Sequence, residues 1–257
     1  MESTFSGNLE SERSQLMSTS EDPAHLRDYI AIRPASADYA GQMEALQAVV
    51  YGVDPRDERQ MTLNAAHFRQ HLYVFPEGQF IALDTRTDTV VGVTVSMRIA
   101  FDLRRPVLRP WWELIGYGWL STHVRHGAWM YGVESSVHPD YRGLGVGRRL
   151  MDARKSVLRR LNLRGMVAGS AIIDYHKVRD TIPVEEYVAD VVAGRRFDTN
   201  LSKQLRMGFR AHAIIPNYLM DWDCQGYGVE IVWDNPDYIP ARPVRRPVLG
   251  QSIPLGL

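Results

Sequence analysis

Residues 137–150 read VHPDYRGLGVGRRL, with Gly143, Gly145 and Gly147 spaced two apart between an apolar run and a basic one. Glycine loses more conformational freedom on folding than any other residue, so close glycines mark a backbone that turns sharply or lies against something. A strand, a glycine-rich turn and a basic helix together describe an anion site. Unpaired N–H groups and the positive end of the helix dipole converge there on a phosphate. Two common phosphate loops do not fit. No lysine follows the glycines, as a G-x-x-x-x-G-K-[ST] loop requires. The dinucleotide pattern G-x-G-x-x-G fails too, because the third glycine comes one residue early and Leu163 and Arg164 stand where an acid belongs. The bland alternative is a turn that packs and binds nothing, and such a turn has little need of three glycines beside an arginine pair.

Other residues carry weaker signals. Glu134 stands in WMYGVESSV, a run of apolar and small residues, so its carboxylate must face a cleft or find a partner such as a sheet-edge salt bridge. His138, on the turn, is the second candidate base, although a solvent-facing histidine is common there. His67 and His71 have the i,i+4 spacing of metal ligands, but Phe68 occupies the glutamate position of H-E-x-x-H and no third ligand is evident. No metal is expected. The single cysteine, Cys224, excludes an internal disulfide, fits a reducing compartment and reads as a small packing residue. Four tryptophans between 111 and 129 can wall a pocket or fill a core; Trp129 reads as core. Stacked tryptophans beside arginines also suit single-stranded nucleic acid. Thirty basic residues balance thirty acidic ones, however, so no overall field recruits nucleic acid or an anionic membrane.

The elements that must position these residues follow from periodicity. Residues 1–27 are rich in Ser and acidic residues and read as a mobile tail, and 236–257 as a proline-rich strap or tail, leaving one domain over 28–235. No apolar stretch is long enough to span a membrane and the start lacks the pattern of a secretory signal, so a cytoplasmic location is expected. Strands are expected at 29–35, twice within 79–99, at 129–137, 165–173, 210–219 and 227–234. Helices are expected at 37–51, 61–72, after the glycines to about Asn162, at 183–196 and at 199–207. Strands and helices alternate but adjacent strands also occur, which predicts a mixed α/β sheet.

The stretch V-x-P-x-[YF]-R-G-x-G-x-G, carried by Val137, Pro139, Tyr141, Arg142, Gly143, Gly145 and Gly147, resembles the coenzyme A motif of the GNAT acetyltransferase family. Gly208 and Phe209 resemble that family's late helix-to-strand junction. The resemblance covers residues 29–235, most strongly 131–162, and the aromatic stretches resemble a branch with members fused to carbon–nitrogen hydrolases. It implies an α/β (α+β) fold, a mixed and mostly antiparallel central sheet with a splayed cleft, flanked by helices. It implies acetyl-CoA as co-substrate and a small-molecule or protein amine as acceptor, with a homodimer common in the family. Arg142, Gly143, Leu144, Gly145, Val146, Gly147 and Arg148 would cradle the pyrophosphate. Ser135, Ser136 and Val137 would bond the pantetheine arm, and Arg148, Arg149 or Arg154 would reach the adenosine phosphates.

Acyl transfer from a thioester to an amine needs a polarised carbonyl, a base, an outlet for the thiolate and alignment of both substrates. A backbone N–H near Val137 would meet the first need and Glu134 the second. The acid departs from the family pattern. The tyrosine usual four residues before the junction glycine is Gln204 here, and the asparagine expected early in that helix falls at Phe197, with Asn200 out of step. Tyr175 and Tyr218 are the substitutes. Otherwise the thiolate leaves unaided, or the site is inactive and the domain is a non-catalytic acyl-CoA sensor or partner module. About 35 residues between strand 165–173 and the junction form an insertion, expected over the acceptor side of the cleft. Asp174, Tyr175 and His176 would be its substrate contacts.

Overall fold

The computed structural model describes residues 23–53, 61–220 and 223–240. The expected tails at 1–22 and 241–257 lie outside the described residues. Residues Pro23–Asp28 form a short helix, α1, inside the segment expected to be tail. The strands are β1 (Ile30–Pro34), β2 (Phe80–Asp84), β3 (Thr89–Ile99), β4 (Trp129–Val137), β5 (Gly165–Ala171), β6 (Arg210–Ile215) and β7 (Gly228–Asp234). The other helices are α2 (Ala40–Tyr51), α3 (Ala65–Val74), α4 (Trp111–Leu114), α5 (Val146–Arg160), α6 (Val184–Val192) and α7 (Leu201–Arg206).

Most elements lie where their periodicity puts them, and the departures have local causes. Helix α3 begins at Ala65 rather than 61, because the Asn64 side chain accepts from the His67 N–H while the His67 ring accepts from the Asn64 N–H. Such a cap is worth about 1 kcal/mol and fixes the helix start. Helix α5 buries Val146, Leu150, Met151, Arg154, Val157 and Leu158 along one face. Asn162, in the left-handed region at φ 48°, turns the chain out of it.

The seven strands form one sheet in the order β1-β2-β3-β4-β5-β7-β6. Every pairing is antiparallel except β4 with β5. That parallel contact is short: Met130 pairs with Met166, Tyr131 with Val167 and Gly132 with Ala168. Beyond Gly132, β4 stays on β3 as far as Val137, while β5 stays on β7 as far as Ala171. The two strands therefore part company, and the edge of β4 from 133 to 137 faces a cleft.

A bulge in β4 decides which side chains face which way. Val95 pairs with Glu134 but Ser96 with Gly132, so Val133 is an extra residue. Strict alternation would put Glu134 on the face of Met130 and Gly132. The bulge re-aims it to the opposite face, with Trp129 and Tyr131. On that face α2 and the aromatic segment cover a core of Met43, Leu46, Phe68, Trp111, Trp129 and Tyr131. The other face carries α5, α6 and α7 over Met130, Met166, Leu158, Tyr187 and Phe209. The insertion is thus not over the side where Glu134 points. Helix α6 sits with α5 and α7, burying the apolar stripe of Val184, Tyr187, Val188 and Val191 in that core.

Candidate active site

The donor end of the cleft is backbone. Gly143 and Gly145 have φ of 81° and 78°, a region that residues with side chains rarely adopt. A Cβ at either would meet nothing within 4 Å, and one at Gly147 would meet only Val137 Cγ2 at 3.9 Å. The chain itself therefore does not require these glycines for close packing; they leave an open cradle above the helix end. Arg149 donates to Gly145 O at 3.1 Å, the first helical bond, so the N–H groups of Val146, Gly147 and Arg148 precede the α-helical ladder. The Val146 side chain packs into the core with Leu150, whereas Arg142 and Arg148 are exposed and Leu144 is half-buried. Tyr141 fixes the loop to β2, donating to Asp84 at 2.9 Å. The Arg86 guanidinium, 2.8 Å from Asp84, and this hydrogen bond hold that carboxyl down at about 2. His138 accepts from the Asp140 N–H and shapes the turn.

Along β4, residues Ser135, Ser136 and Val137 have β3 on one side and no strand on the other. That backbone edge, on which Val137 O accepts from Arg142 Nε at 3.4 Å, can take an extended ligand arm as a further strand would be taken. Ser135 is exposed, but the Ser136 hydroxyl turns away and accepts from Gln47 at 3.0 Å.

The other face is crowded with side chains. The buried Glu134 carboxylate accepts from Tyr51 at 2.8 Å and from Gln47 at 3.5 Å. Burial pushes its pKa up, against the pull of those donors and of Arg154. Trp111 closes the end of this pocket, donating through Nε1 to Val133 O at 3.0 Å and through its backbone N–H to Tyr218 O at 2.8 Å. Trp129 is buried beneath Phe101, and Trp119 is exposed against His67.

The two substitute tyrosines end in different places. Tyr218 crosses the point where the strands separate: its hydroxyl lies 3.3 Å from that of Tyr131 on β4 and donates to Gly169 O on β5 at 3.2 Å. Gly169 and Gly228 make room for it, since a Cβ at Gly169 would stand 2.1 Å from its ring and one at Gly228 2.5 Å. Burial, and next to it the Tyr131 hydroxyl, raise the Tyr218 pKa well above the usual tyrosine value; burial pushes Tyr131 up to about 12. Tyr175 is not brought to Glu134. Its ring packs on Tyr187 and Tyr227 and its hydroxyl donates to Ile182 O at 3.2 Å. Its neighbours are equally committed: Asp174 accepts from Thr199 N–H and Lys177, and His176 is held at Ile173 O.

Gln47, Tyr51 and Tyr131 are site residues that the sequence reading missed. A signal existed for the first pair, because Gln47 and Tyr51 stand four apart on a helix whose Met43 and Leu46 are buried. Arg154, one of three arginines that could have reached the adenosine phosphates, is instead buried under β4. His67 and His71 serve the fold, as a cap and as a partner of Gly118 O at 2.7 Å. Among the described residues no helix is long and apolar enough to cross a membrane.

Residues 54–175 match the model of the acetyltransferase (GNAT) family. Two curated proteins of Bacillus subtilis (strain 168) are similar. One, named uncharacterized N-acetyltransferase YkwB, is 33% identical over 168 residues, which are 65% of this chain and 73% of that protein. The other, named probable hydrolase YhcX, is 38% identical over 180 residues, 70% of this chain. The matched part is 34% of YhcX, so this chain spans about a third of that relative, the pattern expected of the fused branch. Among solved structures, GphF, a GNAT-like decarboxylase in complex with isobutyryl-CoA, is 26% identical with a TM-score of 0.65, covering 80% of this chain and 99% of that one. The chain belongs to the GNAT acetyltransferase family, a family of acyl transfer.

Proposed function

We propose that this protein transfers an acetyl group from acetyl-CoA to an amine, by direct attack within a ternary complex. The observation that carries the reading is the pairing, at one fork in the sheet, of an open backbone cradle on one face and a buried carboxylate on the other. The N–H groups at the start of α5 suit the pyrophosphate, and the free edge of β4 suits the pantetheine arm. A backbone N–H near Val137 polarises the thioester carbonyl. Glu134 takes the amine's proton: it is anchored by Tyr51 and Gln47, and its raised pKa makes it a stronger base than an exposed glutamate. Tyr218 lies at the fork and is the proton donor available to the departing sulfur. A panel of amines incubated with acetyl-CoA tests this by thiol release. Glu134→Gln should lower the release that the wild-type chain shows by about 10²–10⁴-fold.

A second reading is favoured by the match to GphF and by Gln204 at the usual tyrosine position. In it a carboxylated acyl-CoA loses carbon dioxide, the electron pair passes into the thioester carbonyl, and a proton closes the new C–H bond. Malonyl-CoA would then give acetyl-CoA with no thiol released, and with no amine present. Incubation with malonyl-CoA alone, followed for acetyl-CoA formation, separates the two.

A further inference from the structure

Arg154 is a charged group at the fork that neither reading uses. It stands eight residues after Val146 on the buried face of α5 and is 3% exposed. Its Nη2 donates to Val95 O at 2.6 Å and to Glu134 O, the two carbonyls beside the bulge. Its Nη1 lies over Gly132, where a Cβ would stand 3.3 Å from it and 3.4 Å from the Ala168 Cβ. Gly132 and Ala168 are the last pair before β4 and β5 separate. The guanidinium therefore lies under the β3–β4 bulge on the α5 face, the side of the glycine cradle, with Nη1 reaching Gly132 where the fork opens. Its Nε is buried with no hydrogen-bond partner.

Burying a cation is expensive, and this one is set against two backbone carbonyls and the charge of the Glu134 carboxylate on the other face of the sheet. The charge is kept where the thioester sulfur would lie if the arm follows β4 from the cradle to the fork. Resting on the acyl-transfer reading above, we propose that Arg154 stabilises the thiolate that leaves in that reaction. The amine nitrogen bonds to the thioester carbonyl carbon, the C–S bond breaks, and its electron pair leaves on sulfur. The amine's surplus proton goes to Glu134, and the sulfur stays anionic beside the guanidinium until it takes a proton from Tyr218 or water. This relieves the demand on Tyr218, whose burial makes it a weak acid. It also accounts for a working site with Gln204 where a tyrosine is usual.

The titratable groups around the fork are Glu134 and Tyr131 on β4, Tyr218 before β7, Tyr51 on α2 and Glu230 on β7. The carboxylates oppose a neighbouring thiolate and Arg154 favours it. The experiment titrates the thiol of CoA bound to the full chain, by thiolate absorbance against the same protein holding desulfo-CoA, with calorimetry on each sample. The bound thiol should be at least tenfold more acidic than free CoA. Arg154→Gln should lose about tenfold of that, Arg154→Lys should keep most of it, and Glu134→Gln should make the thiol still more acidic. A bound thiol no more acidic than free CoA overturns the proposal. So does a folded, CoA-binding Arg154→Gln that titrates like the wild type. Should Arg154→Gln fail to fold, the wild-type and Glu134→Gln titrations decide. No CoA binding by the wild-type chain overturns both this and the acyl-transfer reading, whereas binding with an unshifted thiol overturns this one alone.

Discussion

The two faces of the fork are built on opposite plans. On the α5 face the loop 142–148 offers backbone N–H groups, glycines at positive φ and open space where side chains would be. On the α2 face the Glu134 pocket is all side chain: a carboxylate, an amide, a phenol and an indole, mostly buried and bonded to one another. A polyphosphate recognised by backbone dipoles needs only a local turn, and any substrate carrying one is served. A proton carrier must instead be tuned, and tuning takes neighbours from elsewhere in the chain. The same division governs what substitutions should do: changes on the first face should act on binding, and changes on the second on turnover.

The largest effect is expected from Glu134→Gln, a loss of about 10²–10⁴ in acyl transfer with CoA affinity unchanged, read by steady-state kinetics beside calorimetry. Wild-type transfer should rise with pH as Glu134 ionises, with its inflection above the ordinary glutamate range. Stability should move the other way. The folded-state pKa is raised, so Glu134's contribution is present below its unfolded value and is lost as pH rises through the folded one. Glu134→Gln should therefore raise Tm relative to the wild type more at pH 8 than at pH 4. An unchanged rate in that variant would remove the distinction between the two faces.

Tyr218→Phe should be milder, about 10-fold to 10²-fold in turnover with donor affinity intact. On the cradle face, Tyr141→Phe frees the loop from Asp84. Losing a hydrogen bond to a charged group should cost about 1.5–3 kcal/mol of stability and, through the loosened loop, weaken CoA binding while leaving turnover at saturation unaltered. The smallest effect should come from Tyr175→Phe: about 1 kcal/mol of stability by chemical denaturation, and neither affinity nor rate. A large rate loss there would bring the insertion back to the site.

The cradle was legible in the sequence because its whole mechanism lies within a dozen consecutive residues. The sheet was legible too, since its strands are short apolar and β-branched runs bounded by turn residues, most of them buried on both faces. The pocket was not. Glu134 stood out as a carboxylate among apolar residues, but its partners Gln47 and Tyr51 lie 87 and 83 positions away. The bulge at Val133, which aims Glu134, comes from pairing with β3 and leaves no local signature. Arg154 misled for a related reason. In a helix with this many arginines it looks like one more solvated cation, although it stands four residues after Leu150 and three before Val157 on the stripe that α5 buries. The insertion misled because loop length says nothing about which face will bury a helix.

The most direct test of the central claim is calorimetric titration of the full chain with acetyl-CoA, CoA and ATP, beside a Gly145→Trp control. Binding of both CoA ligands but not ATP, abolished in the control, is the predicted result. No heat with either CoA ligand at millimolar concentration would contradict it, and the cradle would then be a turn without a ligand.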